Sequence, residues 1–364
     1  MPEKAGRIEE ATYADGFTPK HSGGTIMISR YAEAVRARVE EVQTRSDFDH
    51  MADLIDRGVM AGFTSAAVPT TFETLGYRRD TADLAGAHGG YRRDYTIDSV
   101  REIPQVAEKG EYKPIDAEES AFDFRTYKYG CQWDISWEAY LRDNRDLGLL
   151  MKHPTTWGMS ARYTQQMAFT EAYAGNLTYF TAGRGNYDDG ADTFLDADSL
   201  DAALTMFQAM EDQSGNLVPY AGRVFLVVPP VLERTARQLL NATFTLNGAA
   251  VELSNLVNNT CELVVDPFLP SIDTTQGSTA WYLFADPAIR PAVRYGYLQG
   301  YDQPEIFVKA AEVQGLFTGE ADPFAGSFLS DDIEFKLRFT FGADTVDPGY
   351  NSYPWGAIMM KGAA

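Results

Sequence analysis

The stretch "REIPQVAEKGEYKPIDAEESAFDFRTYKYGCQWDISWEAYLRDN", residues 101–144, changes character three times. Its first part, "PQVAEKGEYKPIDAEES", has two prolines, a glycine, eight charged or amide side chains and few apolar ones. Such a segment cannot bury a face of its own, which predicts a long protruding hairpin or loop with its tip near 107–118. "AFDFRTYKYGCQWDIS" then returns as a strand. Its apolar phase runs through Phe122 and Phe124 and slips to Tyr127, Tyr129, Cys131, Trp133 and Ile135. A slip in a pattern of period two turns every later side chain to the other face, so a bulge or a change of partner sheet is expected near Arg125. From Ser136, a good cap for "WEAYLRDNRDLGLLM", helical signals take over. Pro154 starts a second helix, "TTWGMSARYTQQMAFTEAYAG", with Met159, Tyr163 and Met167 on one stripe and Gly175 as its stop.

On the N-terminal side, residues 1–28 are polar and Gly-rich and read as an arm without a core. A helix is expected over 29–58: Ser29 caps it, Tyr31, Val35, Val39 and Val42 keep helical spacing, and Phe48, Met51, Leu54 and Ile55 continue the apolar face. Next comes a repeated pentapeptide, Gly-Tyr-Arg-Arg-Asp, opening at Gly76 and again at Gly90. It sets Arg78, Arg79, Arg92 and Arg93 close together.

On the C-terminal side, residues 176–320 read as mixed α/β. "DSLDAALTMFQAMED" is a helix started by Asp198 or Ser199, with Leu200, Leu204, Phe207 and Met210 inward. "RVFLVV" (223–228) is a buried strand, and Pro229-Pro230 open the helix "VLERTARQLLNATF". Strands follow in "CELVVDPFLP", "AWYLFADP", "AVRYGYLQGY" and "PEIFVKAA". In "DIEFKLRFTFGADTVDPG", Ile333, Phe335, Leu337, Phe339 and Phe341 alternate with Glu334, Lys336, Arg338 and Thr340, the cleanest strand pattern in the chain.

Composition narrows the function. With 31 Lys and Arg against 52 Asp and Glu, the formal net charge is −21, the wrong sign for a general polyanion binder. A hydrophobic share of 45% supports a real core. Cys131 and Cys261 form neither a disulfide framework nor a metal-ligand spacing, as expected of a product of the reducing cytoplasm. The charged N-terminus carries no apolar signal segment, and the run "VFLVVPPVL" (224–232) is too short to cross a bilayer, so a soluble intracellular product is expected. His21, His50, His88 and His153 are scattered, and neither a nucleophile elbow nor a phosphate loop occurs. "GRGNYDDG" (183–190) has its third glycine out of place for a dinucleotide loop. The acidic run 184–212, eight Asp and Glu against Arg184 alone, fails as a calcium loop because Gly185 and Tyr187 fall at ligand positions; an exposed acidic loop leading into a helix cap is the better reading. No catalytic, cofactor-binding or metal residue is therefore assigned, and no cofactor.

The order of parts (arm and helix, long charged hairpin, long helix, mixed α/β domain, closing strand with a Gly/Pro-rich tail) resembles the major capsid proteins of tailed bacteriophages, which share the HK97-type shell fold. The resemblance covers nearly the whole chain and rests on 101–144, "NLTYFTAGRGN", "FLVVPPVLERTARQLL", "WYLFADPAIRPAVRYGYLQGYDQPEIF" and "DIEFKLRFTFGADTVDPGYNSYPWGAIMMKG". It implies an α+β, HK97-like capsid fold: an N-terminal arm over 1–75 with its helix at 29–58; the way into a peripheral domain and an extended β-hairpin loop over 76–135; a spine-helix region over 136–180; an axial domain over 181–322; and closing strands of the peripheral domain over 323–364. It implies a non-enzymatic head protein that self-assembles, as hexamers and pentamers of many copies, into an icosahedral shell around double-stranded DNA. Scaffolding, portal and decoration proteins are the implied partners. DNA is met only by weak non-specific contact, no membrane is involved, and the shell is assembled in the bacterial host cytoplasm and ends in the virion.

Under that resemblance, residues 76–95 lie where chains overlap. Arg78, Arg79, Arg92 and Arg93 are then expected to meet carboxylates of adjacent subunits, at 188–201 or 116–119. The competing expectation pairs each with its own Asp80 or Asp94. Lys109, Glu111, Lys113, Asp116, Glu118 and Glu119 on the loop are further contact candidates. Some relatives weld subunits by a Lys–Asn bond, for which Lys109 or Lys113 and Asn351 are the candidates; the catalytic Glu of those relatives has no match here. The alternatives are an encapsulin-type compartment shell, a soluble enzyme with a metal-assisted site around 184–212, and a viral adaptor or decoration protein.

Overall fold

The alternation at 333–341 produces the strand on which the architecture is hung. In the computed structural model, residues 55–362 are described apart from 86–90, 99–102, 104, 107, 113–117, 137–151, 214, 242–243, 248–250, 255–259 and 310–331. The strands in chain order are β1 Gly76–Arg78, β2 Arg92–Asp98, β3 Glu118–Phe124, β4 Tyr127–Ser136, β5 Tyr187–Asp188, β6 Val224–Val228, β7 Phe244–Asn247, β8 Val251–Ser254, β9 Glu262–Val265, β10 Trp281–Ala285, β11 Val293–Gly296, β12 Glu305–Val308, β13 Asp332–Thr345 and β14 Ala357–Met360. The helices are α1 (55–63), α2 Phe72–Leu75, α3 Lys152–Tyr173, α4 Ala197–Gln208, α5 Glu233–Asn241 and α6 Leu269–Ile272.

β13 is the axis of a five-stranded sheet. Its residues 332–341 pair antiparallel with all ten residues of β4, 335–338 pair with β12, and 342–345 pair with β11, which runs parallel to β1. Ile333, Phe335, Leu337, Phe339 and Phe341 are all buried, as alternation requires. A second five-stranded sheet has the order β5-β14-β10-β6-β9. Its central strands β6, β10 and β14 are buried throughout and read as unbroken apolar runs. The parallel pair β6 and β9 is joined through α5 and the small β7–β8 hairpin. The sheets cut across the boundary drawn at 322/323: β14 joins the second sheet, whereas β11 and β12 join β13 in the first.

The long helix α3 bridges the two sheets. Phe169 packs with Phe72 and Tyr295 over the first sheet, and Tyr173 meets Tyr282 and Phe284 of the second, so that one continuous core serves both. The stripe Met159–Tyr163–Met167 is not its inward face; Tyr163 is exposed. The buried face is Gly158, Ala161, Gln165, Gln166, Phe169, Thr170 and Tyr173, because close backbone approach and side-chain hydrogen bonds, rather than hydropathy, select it. At its start α1 crosses so near that a Cβ on Gly62 would strike the Thr155 carbonyl and one on Gly158 the Val59 carbonyl. At its end Gly175 sits at φ 62°, the left-handed stop expected from the sequence.

Other readings shift by a few residues. The helix expected over 29–58 is described only from residue 55, and there it runs on to 63; the arm and the Ser136-capped helix lie outside the described residues. The α4 cap is Asp196 rather than Asp198 or Ser199. Its carboxylate accepts from Ser199 N at 2.7 Å while Ser199 Oγ accepts from Asp196 N at 3.1 Å, a reciprocal capping box. Leu200, Phe207 and Met210 are buried as expected, with Ala203 beside them and Leu204 only half-buried. After β6, Pro229 and Pro230 form a turn, and α5 begins at Glu233.

Candidate functional site

β2 and β3 form an antiparallel ribbon, registered from Arg92↔Phe124 to Asp98↔Glu118, so the chain between them is the far end of a hairpin. Only Arg125 and Thr126 separate β3 from β4, and across them the partner changes from β2 to β13. The slip read near Arg125 is therefore a change of sheet and not a bulge.

The hairpin is rooted by polar contacts. Asp94 on β2 is 7% exposed and is shared by three arginines. Arg79 donates to it through Nε at 3.1 Å and Nη2 at 3.3 Å, Arg92 through Nε at 3.0 Å, and Arg294 of β11 through Nη1 at 2.9 Å. Burial opposes ionisation of Asp94, but the Arg79 and Arg92 hydrogen bonds and the Arg294 charge outweigh it and hold the carboxyl below the usual carboxylate range. Arg294 is itself buried, its guanidinium 4.2 Å from the Phe122 ring centre, and burial lowers its pKa despite Asp94. Arg92 Nη1 also donates to the Asp80 carbonyl at 2.7 Å, and Thr81 Oγ1 donates to Thr126 Oγ1 at 2.7 Å in the interior. Phe122 and Phe124 fill the apolar side of the root.

The doubled pentapeptide divides its work in the same way twice. The first arginine of each copy pairs with the aspartate of its own copy: Arg78 with Asp80 at 3.0 Å, Arg92 with Asp94. The second reaches outward: Arg79 to Asp94 of the other copy, Arg93 across the ribbon to Asp123 at 2.8 Å. The hydrogen bond to Asp123 raises the Arg93 pKa further still. All four arginines thus have carboxylate partners in their own chain, as the competing expectation had it for Arg78 and Arg92. Those of Arg79 and Arg93 lie across the fold. Asp123 and Arg294 were not singled out from the sequence, although an arginine inside the apolar run "AVRYGYL" was a visible signal.

Of the hairpin candidates, Lys109 is exposed at φ 66°, and Glu111 and Glu119 are exposed. Glu118 opens β3, while Lys113 and Asp116 lie outside the described residues. Asn351 is exposed in the loop before β14.

A second polar centre fixes α3 to the other sheet. Asp266, fully buried just after β9, accepts from Thr170 Oγ1 at 2.6 Å, Tyr173 OH at 2.7 Å and Phe268 N at 2.9 Å. Gln166 Oε1 accepts from Thr71 N at 2.9 Å, adding the segment before α2. Among the described residues no three His, Cys, Asp or Glu side chains gather as metal ligands, and no helix is long and apolar enough to cross a membrane.

The sequence profile of a family described as phage capsid protein matches residues 119–350. No curated protein matches the chain. Among solved structures, the head structure of Helicobacter pylori bacteriophage KHP40 is 8% identical, with 81% of this chain and 92% of that chain covered at a TM-score of 0.48. The capsid of Cyanophage P-SCSP1u is 14% identical, with 83% and 92% covered at 0.47. A virus-like particle from Pyrococcus furiosus is 11% identical, with 85% and 98% covered at 0.41.

Proposed function

The chain belongs to the phage capsid protein family, and from that premise we propose that it is the shell-forming major capsid protein of a tailed bacteriophage, with an HK97-type fold, closing around double-stranded DNA. The observation that carries the reading is the family match over residues 119–350, which runs from the hairpin's return strand through both sheets. In this reading β2–β3 is the extended loop, α3 the spine helix, and the sheet around β6 and β10 the axial domain. Hexamers and pentamers of the chain build the shell in the host cytoplasm, with scaffolding, portal and decoration proteins as further partners, and the shell becomes part of the virion.

Physical considerations support it. A two-stranded ribbon is at best marginally stable alone in water. This one is anchored at its root while Ile103 and Tyr112 farther out are almost fully exposed, an arrangement suited to contacts with other copies. The net charge of −21 limits sticking of DNA to the inner wall. The family that matches is the phage one and not a compartment shell, and we propose no catalytic role.

The test is sedimentation velocity of the chain expressed alone, with negative-stain microscopy of each peak. Closed megadalton particles are expected. A discrete small oligomer showing metal-dependent turnover would overturn the reading in favour of an enzyme.

A further inference from the structure

We infer that the outward face of the hairpin root, the stripe Tyr91–Arg93–Tyr95, docks on the acidic flank around Asp189, Asp192 and Phe194 of a second copy of the chain. The inference rests on the shell reading and names one of its contacts.

The stripe follows from strand alternation. Asp94 and the facing Phe122 point into the root, so positions 91, 93 and 95 point away from it. Tyr91 is 46% and Tyr95 62% exposed. Arg93 is held in advance, by Asp123 across the ribbon and by the Tyr91 ring 5.4 Å beneath its guanidinium. Tyrosine and arginine are the residue types that dominate interface energetics, and an arginine already fixed in place loses little freedom on docking. Among the described residues Arg93 pairs with Asp123 across the ribbon, and no ion pair or hydrogen bond joins this face to the acidic flank of the same chain.

The flank has the complementary character. From Gly185 to Gly222 the chain carries eight Asp and Glu and no Lys or Arg. Asp189, Asp192, Asp198 and Asp201 are exposed, and Phe194 stands 45% exposed among them. The segment is held in shape by the Asp196–Ser199 capping box and by Asp188 Oδ1, which accepts from Gly190 N at 2.9 Å. A Tyr-Arg-Tyr stripe on one copy, its guanidinium oriented by Asp123, thus faces an aromatic and anionic patch on the next. The two patches differ, so the contact is heterologous, the kind that closes rings of copies. The occupant is a second copy because a capsid family member assembles with itself and each copy brings both patches.

The experiment traps the contact covalently. In a Cys131→Ser background, which removes the exposed native thiol, copies bearing Tyr95→Cys and copies bearing Asp192→Cys are mixed, assembled and oxidised, then imaged and run on a denaturing gel. A dimer band that needs both cysteines is expected, and it should not form when the second cysteine is placed at Leu217 instead. In parallel, Asp189→Lys with Asp192→Lys should lower the assembled fraction about tenfold with unchanged circular dichroism. Particles that form without the dimer band and with undiminished yield from the lysine variant overturn this contact and leave the shell reading standing. Failure of the parent chain to give any particle, alone, beside its variants or with a co-expressed scaffolding protein, overturns the shell reading itself.

Discussion

At Asp94 three guanidinium groups converge on one buried carboxylate, and removing that charge strands the others. Arg294 cannot turn to water, since it is itself buried against Phe122. Breaking a buried pair by deleting one member costs about 3–5 kcal/mol, so Asp94→Asn is expected to lower the unfolding free energy by roughly that amount in a urea titration. The effect depends on pH in a definite direction. The folded pKa lies below the ordinary value of about 4. The stabilisation is therefore complete above that value and is lost as pH falls through the depressed one. Parent and Asp94→Asn should differ fully at neutral pH and converge in strong acid; a difference that stays constant down to pH 2 would show that Asp94 contributes shape and not charge. The four arginines were legible as a cluster from the repeated pentapeptide. Their partners were legible only in part, because Arg294 lies 200 residues from Asp94 and no local pattern links them.

At the scale of elements, what could be read depended on whether the information was local. The β13 alternation, the change of partner after Phe124 and the Gly175 stop are properties of a few adjacent residues, and each is where the sequence puts it. The inward face of α3 is not local. It is chosen by Gly62 on α1, Thr71 before α2 and Asp266 after β9, so a hydropathy stripe through Met159 and Tyr163 could not find it. The close crossing of α1 and α3 yields a direct test. Gly158→Ala places a methyl group against the Val59 carbonyl, and overpacking of this kind costs about 1–3 kcal/mol. Thermal unfolding should show the loss, whereas alanine at exposed Ser160 on the same helix should be nearly neutral. Asp196→Ala removes the α4 cap and should cost about 1 kcal/mol, measured in the same way.

For the whole molecule, the distal hairpin contributes none of its described residues to the core. Its root is fixed by Asp94, Phe122 and Phe124, and the chain beyond Asp98 and before Glu118 can be replaced by a short turn without touching that root. Such a variant should keep its circular dichroism and melting temperature while losing closed particles in sedimentation velocity; particles of normal size would show that the distal hairpin is not needed for closure. Particles from the parent chain should run on a denaturing gel as a single 40.3 kDa band, and a ladder of its multiples would show a covalent weld between copies. The ten-residue ladder between β4 and β13 also has a mechanical meaning. The hairpin joins β4 through two residues, so tension on it is passed to β4 directly. Antiparallel ladder bonds lie across the strand axis and under a pull along it are sheared together, not unzipped one at a time. Pulled along its axis, the ladder therefore resists as one unit of ten residue pairs, and a tie of that kind holds the hairpin to the sheet.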